Sequence, residues 1–196
     1  NGLNNTGEKL ALKLGSTFLD RTPDVATCSG WCGGETVSYK TMERYDPSSS
    51  GESSSNWNSF QSILANGLNA DSVAVQGTPG KRNSINYMLS VNGSSLSSSK
   101  TLTAANSPYL ITASPFTVGA GKTLTVEPGA VIKFYTTTSY LTVSGTLNVA
   151  GTSISPVIFT SFKDDTYGGD INQNGSANLP QAGDWGAIKI GANGST

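Results

Sequence analysis

Residues 124–134 read Leu-Thr-Val-Glu-Pro-Gly-Ala-Val-Ile-Lys-Phe and decide the fold of the second half of the chain. Two short apolar runs are separated here by a Pro-Gly turn. Similar runs recur on both sides, and Gly, Pro and Asn separate them. The runs are 109–111, 116–118, 124–126, 131–134, 141–143, 147–149, 157–159 and 187–190.

Strands this short, joined by tight corners, are typical of the faces of a β-solenoid, in which each coil stacks on the previous one. A single coil cannot bury its own apolar face, so stacking is compulsory. The return of Leu-Thr-Val from 124–126 at 141–143 supports a repeat. The alternative is a small Greek-key sandwich.

Residues 107–191 also resemble the N-terminal cap and first coils of secreted bacterial β-helix proteins. The motifs that carry this resemblance are 124–134, 141–151, Pro-Val-Ile-Phe-Thr-Ser at 156–161 and Gly-Asp-Trp-Gly at 183–186. The resemblance implies a right-handed parallel β-helix over 107–196, with later coils beyond Thr196. In polysaccharide lyases and hydrolases of this kind, the active-site groove lies on those later coils.

The first half has a different pattern. Residues 8–14 alternate, with Leu10, Leu12 and Leu14 on one face, which predicts a half-buried antiparallel strand. Further strands are expected at 17–20, within 36–45 and at 73–76, and a Ser-rich linker is expected at 92–106.

This half resembles the C-terminal part of a lamin tail domain, which is an immunoglobulin-like sandwich. The motifs that carry the resemblance are 5–12, Met-Glu-Arg at 42–44, Trp57 and Gly-Thr-Pro-Gly-Lys-Arg-Asn at 77–83. The resemblance implies a partial sandwich over 1–91, so the predicted fold class is all-β. We expect Arg44 to bind backbone carbonyls or a carboxylate such as Glu43 or Asp46.

The early strands of the lamin-tail pattern have no counterpart in this sequence. A half sandwich leaves unpaired strand edges, so we expect either a fragment or a second chain that supplies the missing strands by β-strand addition. Such a contact does not close, and it would generate a head-to-tail filament.

Composition excludes several functions. The chain has 12 basic and 13 acidic residues and a net charge of −1, which leaves no basic stripe for nucleic acid. No apolar run reaches the ~18 residues of a membrane span. With two Cys and no His, a four-ligand zinc site is improbable. Cys28 and Cys32 are interpreted as a disulfide of a secreted or cell-surface protein, with free thiols as the alternative.

Residues 164–176 form the sharpest polar constellation. Asp170, Asn172 and Asn174 occupy the first, third and fifth positions of an EF-hand-type calcium loop, with Gly175 next and a backbone carbonyl expected from Ser176. Position twelve is Gln181, which removes the bidentate Glu. The additional ligands predicted from neighbouring turns are Asp164, Asp165 and Asp184. The alternative is a polar loop whose Asp and Asn side chains cap its own backbone.

Catalysis has little support. Because the sequence contains no His, Ser-His-Asp and Cys-His catalytic mechanisms are excluded. Lys163 is the nearest candidate for the base of a lyase. Trp185, Tyr167, Tyr135 and Tyr140 could form a sugar-binding shelf or pack on the solenoid. The function predicted is therefore a structural or adhesive module, with surface glycans as possible partners. The alternative is a carbohydrate-binding or polysaccharide-degrading β-helix.

Overall fold

A computed structural model describes residues 4, 6–61, 66–89, 93–175, 177–191 and 194–195. The chain divides into two compact units, Asn1–Asn86 and Tyr87–Thr196. The described residues are mostly strands, turns and loops, with one four-residue α-helix and three 3₁₀ turns. These helical elements are α1 (Val25–Cys28) and the turns Ser54–Asn56, Ser84–Asn86 and Ala104–Asn106.

The first unit contains two separate antiparallel pairs. Strands β1 (Ala11–Leu14) and β2 (Thr17–Arg21) form a hairpin, and β3 (Met42–Arg44) pairs with β4 (Trp57–Ser59). The described residues therefore show two-stranded sheets, and the partial immunoglobulin-like sandwich predicted for 1–91 stays a prediction.

The β1–β2 hairpin differs from the half-buried strand that the Leu alternation predicts. Leu10 is 37% exposed, Leu12 is 62% exposed and Leu14 is 73% exposed. On the opposite side, Lys13 and Arg21 lie over the ring of Phe18. The prediction that this strand is half-buried is therefore wrong, because the side chains of β1 are exposed on both faces.

A buried carboxylate joins the motifs of the first unit. Glu43 is 3% exposed and accepts hydrogen bonds from Thr78 Oγ1 at 2.7 Å, Ser84 Oγ at 2.6 Å and the Ile85 amide at 3.2 Å. Asn83 Nδ2 donates to the Arg44 carbonyl at 2.9 Å. Residues 42–44 and 77–83, which are far apart in the sequence, therefore meet around Glu43.

Arg44 also confirms one expected partner and corrects another. Its guanidinium binds the Ser49 carbonyl, as expected, but its carboxylate partner is Asp20 rather than Glu43 or Asp46. Glu43 is already satisfied by three neutral donors. Asp46 accepts from its own turn, at Ser48 and Ser49, which lowers its pKa to about 2.

The second unit is a stack of parallel coils. Its strands are β5 (Lys100–Leu102), β6 (Tyr109–Ile111), β7 (Phe116–Val118), β8 (Thr123–Val126), β9 (Val131–Phe134), β10 (Leu141–Val143), β11 (Thr146–Val149), β12 (Ile158–Ser161) and β13 (Ile188–Ile190). Every third strand belongs to the same sheet, so the three sheets are β5-β8-β11, β6-β9-β12 and β7-β10-β13. All pairs are parallel, which confirms a parallel β-helix.

Alternate residues of each strand point into the coil and form one continuous core. Leu102, Val126, Phe134, Leu141 and Val143 are each 0% exposed. Paired positions in neighbouring coils are 24 residues apart for Lys100 and Leu124, 23 for Tyr109 and Ile132, and 25 for Phe116 and Leu141. The core is therefore built by repetition along the stack.

Two interpretations of the sequence are corrected here. The Leu-Thr-Val repeat does not mark successive coils, because Leu124 pairs with Leu147 whereas Leu141 pairs with Phe116. The segment 92–106 is not a separate linker in its described part, since Leu96 and Leu102 are 3% and 0% exposed in the β-helix core. Their apolar side chains are what binds this Ser-rich stretch to the first coil.

Candidate functional site

The longest segment between two strands of the β-helix runs from 162 to 187, between β12 and β13, and is called the insertion. Its ends stay in register with the previous coil. The Phe162 amide donates to the Phe134 carbonyl at 2.9 Å, and the Leu141 amide donates to the Ala187 carbonyl at 2.9 Å. The chain therefore leaves the solenoid and returns to the same coil, and the insertion contains all of the residues predicted to bind calcium.

Lys133 anchors the insertion to the outside of the β-helix. Its neighbours Ile132 and Phe134 point into the core, so Lys133 points outward from β9. The residue is nevertheless 0% exposed. Its ammonium donates to the carbonyls of Asp164 and Gly169, both at 2.7 Å.

Burial lowers the pKa of the Lys133 ammonium, and the negative charges of Asp164, Asp165 and Asp170 oppose that change.

Gly168 allows the backbone of the insertion to lie directly against Pro108 and Lys133. Its φ is +79°, and a Cβ there would lie 2.9 Å from Pro108 Cβ. Lys133 is a residue of the candidate site that sequence reasoning missed. The available signal was a single cation within the apolar run Val-Ile-Lys-Phe.

Asp184 anchors the other end of the insertion. Its Oδ1 lies 2.6 Å from Lys163 Nζ, and its Oδ2 accepts from the Gln181 amide at 2.7 Å and Ser161 Oγ at 3.2 Å. The hydrogen bond from Lys163 is the main reason why the pKa of Asp184 lies below its usual range. Both carboxylate oxygens of Asp184 therefore already accept hydrogen bonds, and one of these bonds comes from the Lys163 ammonium.

The aromatic residues do not form a single shelf. Trp185 stacks on the core residue Phe134, with ring centroids 4.3 Å apart and an interplanar angle of 7°, so it packs on the solenoid. Tyr135 contacts Phe162 edge to face at 5.1 Å, and Lys189 lies over the Tyr140 ring. Tyr167 is 46% exposed and is the aromatic side chain that the insertion presents to solvent.

The predicted calcium ligands fall into three places. Asp170 accepts from the amides of Asn174 at 3.2 Å and Gly175 at 2.9 Å, so these residues form one turn. Asp164 accepts from Thr160 Oγ1 at 2.6 Å and the Thr166 amide at 3.0 Å. Asp184 is paired with Lys163. These bonds match the alternative in which the loop caps its own backbone.

Two oxygens of this region are buried without a hydrogen-bond partner, Asp165 Oδ1 and Asn174 Oδ1. Asn172 Oδ1 also lies at the turn, 3.4 Å from the Asn174 amide, while Ser176 lies outside the described residues. Within the described ranges, no three acidic, Cys or His side chains come together as a metal-binding group. The calcium interpretation therefore stays a prediction.

The first unit contains the disulfide that the sequence predicts. Cys28 and Cys32 are bonded, and their Cα atoms are 5.2 Å apart. Trp31 lies inside the closed loop, and its indole N–H donates to the Asn4 carbonyl at 3.0 Å. In the part of the chain that the structure describes, no helix is long and apolar enough to cross a membrane.

The second unit thus belongs to the class of parallel β-helix proteins, with one strand-to-strand insertion anchored on its outer face. Among protein families, the pectate-lyase-like beta helix domain matches residues 94–194. This match covers just over half of the 196 residues, and the chain belongs to that family. A search of curated proteins found no match, and a search of solved structures found none.

Proposed function

We propose that the β-helix unit is a polysaccharide-binding module and that the insertion carries its binding surface. The family is described by its likeness to pectate lyases, and pectate is a polymer of galacturonate. The observation that carries the proposal is the anchoring of the insertion by Lys133, Asp184 and Trp185. A loop that is already ordered loses little conformational entropy when it binds a ligand.

The charge of the insertion determines how an acidic polysaccharide would bind. It contains four Asp residues and one Lys, so a polyanion is repelled unless a cation lies between them. We propose calcium in this role. Support comes from Asp165 Oδ1 and Asn174 Oδ1, two buried oxygens without a hydrogen-bond partner, because calcium is bound by carboxylate and amide oxygens.

Calorimetric titration of the chelator-treated protein tests both parts of this proposal. We expect oligogalacturonate to bind in the presence of calcium and not in the presence of chelator. Asp165→Asn should weaken calcium binding about tenfold or more, and Tyr167→Ala should weaken oligogalacturonate binding with calcium binding unchanged. Asp71→Asn, an exposed change in the first unit, is the matched control. Absence of oligogalacturonate binding with and without calcium would refute the proposal.

Binding is placed ahead of cleavage because the lysines of this region are engaged. Lys163, the nearest candidate for a base, is paired with Asp184, and Lys133 is fully buried between two carbonyls. We therefore expect no release of unsaturated uronate products from polygalacturonate. Their appearance, measured by ultraviolet absorbance and lost on Lys163→Met, would overturn this part.

A secreted or cell-surface location is also proposed. The Cys28–Cys32 disulfide supports it, because disulfides persist in oxidising compartments. Fractionation of the cells that produce the protein should recover it from the medium or the cell surface. Recovery from the cytosol with both thiols free would contradict this location.

A second candidate function is self-association through the β1–β2 hairpin, by the strand addition expected from the lamin-tail resemblance. The specific observation is the exposure of Leu12 at 62% and Leu14 at 73% on a two-stranded sheet. An exposed edge strand with an apolar face is a template for a further strand. The meeting of the 42–44 and 77–83 motifs at Glu43 supports the resemblance itself.

Sedimentation velocity over a range of concentrations tests this candidate. We expect the sedimentation coefficient to rise with concentration and the rise to disappear in the double variant Leu12→Ser, Leu14→Ser. Val37→Ser, at a side chain that is 88% exposed elsewhere in the same unit, should leave the rise unchanged. A wild-type protein that remains monomeric throughout would exclude filament formation by this route.

A further inference from the structure

An open groove of about 680 Å³ lies beside the disulfide loop of the first unit. Ligand pockets for small molecules are commonly ~300–1,000 Å³, so the groove is large enough for one or two sugar rings. Its apolar lining comes from Leu10, Trp31 and Met42, and its polar lining includes Glu35, Thr36 and Lys40.

The wall that carries Trp31 is held on several sides. The Cys28–Cys32 disulfide closes the loop around this residue, and the bond from its indole N–H to the Asn4 carbonyl fixes one edge of the ring. Gly33 packs so closely that a Cβ there would lie 2.5 Å from the Asn58 carbonyl oxygen. The apolar surface of the groove is therefore formed before any ligand arrives.

The rim of the groove carries one acceptor group and one donor group. The backbones of Glu35 and Lys40 exchange two hydrogen bonds, at 3.0 and 3.1 Å, and their side chains form an ion pair at 3.3 Å. The pair has no net charge, so it does not select an anionic or a cationic ligand. A carboxylate that accepts beside an ammonium that donates suits hydroxyl groups, because each hydroxyl can do both.

We infer that this groove is a binding site for a neutral polysaccharide, with one sugar ring packed against Trp31 and its hydroxyls at Glu35 and Lys40. A pyranose ring has an apolar C–H face and a hydroxyl perimeter, and an indole ring is a large apolar surface for such a face. Glu35 is exposed and Lys40 is half-buried, so the rim is open to a polymer that extends beyond the groove. The inference is independent of acidic polysaccharide binding by the insertion.

Tryptophan fluorescence of the full chain provides the test, with cellohexaose, xylohexaose and mannohexaose as the neutral probes. Trp57 donates its indole N–H to the Gly51 carbonyl at 2.7 Å, and Trp185 is stacked on Phe134. A change on titration therefore reports mainly on Trp31. We expect at least one of the three oligosaccharides to change the emission saturably, with calorimetry giving the same dissociation constant.

Two variants distinguish the contribution of the Trp31 ring to binding from an effect on the fold of the disulfide loop. Trp31→Ala should weaken binding about tenfold or more. Thr36→Arg, an exposed change on the rim, should obstruct the groove and weaken binding with Trp31 in place. Tyr39→Ala removes an aromatic side chain that is 83% exposed outside the groove and should leave binding unchanged. Near-ultraviolet circular dichroism checks the fold of each variant.

The inference is overturned if none of the three oligosaccharides binds the wild-type chain. It is also overturned if a probe binds and the Thr36→Arg protein, with an unchanged spectrum, binds it as tightly as wild type. Oligogalacturonate with calcium is titrated in parallel. Its retention in the Thr36→Arg variant distinguishes failure at this groove from failure of the proposed function of the insertion.

Discussion

The two units are drawn from similar Ser-, Thr-, Asn- and Gly-rich sequence but are stabilised in different ways. In the second unit, each coil supplies the partner strands and the core neighbours of the next, so one pattern is repeated along the stack. In the first unit, two small sheets are accompanied by single polar and covalent links, of which Glu43, Arg44 and the disulfide are the main ones. Apolar burial is therefore continuous along the second unit, whereas the leucines of the β1–β2 hairpin in the first unit are exposed.

The comparison is tested most strongly by matched deletions of apolar side chains. Phe134→Ala removes a fully buried ring that stacks on Trp185, and we expect it to cost about 3–5 kcal/mol of unfolding free energy. Leu14→Ala, at a site that is 73% exposed, should change it by less than ~0.5 kcal/mol. Urea unfolding followed by circular dichroism measures both. Similar losses at the two sites would contradict the difference between the units.

The second test removes a polar link from the first unit. Glu43→Ala leaves the hydroxyls of Thr78 and Ser84 and the Ile85 amide without their buried acceptor, which should cost about 2–3 kcal/mol. Thr78→Val, which removes only one donor, should cost less. Hydrogen exchange should locate both effects in Asn1–Asn86. An equal loss of protection in the β-helix core would show that the units do not unfold separately.

The third test uses the disulfide, which only the first unit contains. In a chain-entropy estimate, opening so short a loop costs about 2 kcal/mol. Mild reductant should therefore increase proteolysis around α1 and leave the fragment Tyr87–Thr196 resistant. The Cys28→Ser, Cys32→Ser variant serves as the reductant-free control. Cleavage within the β-helix at the same rate would contradict a stabilising effect of the disulfide that is confined to the first unit.

The smallest expected effect is a pH dependence of the insertion. Because the pKa of Asp184 in the folded protein lies below its ordinary 3.8, its stabilising contribution is complete above that value. It is lost as pH falls through the lower folded-state pKa. The protection of amides in 162–187, measured relative to the intrinsic exchange rate at each pH, should therefore fall a few-fold in acid before that of the β-helix strands does. Asp184→Asn should show that loss of protection at neutral pH, whereas Asp71→Asn should not.

The strands of the β-helix could be predicted closely from the sequence because their inward positions are apolar. Four predicted runs have the same bounds as β6, β7, β9 and β10. The pairing of strands was harder to predict, because the register depends on the length of each coil. The two Leu-Thr-Val copies are 17 residues apart and belong to different sheets of the β-helix. Burial of Leu96 and Leu102 was missed because Ser surrounds the first and Lys and Thr flank the second.

The candidate site was less predictable because its contacts depend on tertiary structure. A Lys within a strand usually points to solvent, and Lys133 is buried only because the insertion folds over it. In the first unit, the alternation of Leu10, Leu12 and Leu14 defines a face, but sequence alone does not say whether another element covers it. The paired Cys28 and Cys32 were predictable from their spacing and from the absence of other ligands.

We propose that the β-helix is a rigid support and that its insertion binds polysaccharide. Hydrogen exchange of the full chain, with and without oligogalacturonate in the presence of calcium, is the decisive measurement. We expect added protection confined to residues 162–187 and the coil beneath them, with the β1–β2 hairpin unchanged. No added protection in the insertion at saturating ligand, or protection confined to other segments, would contradict it.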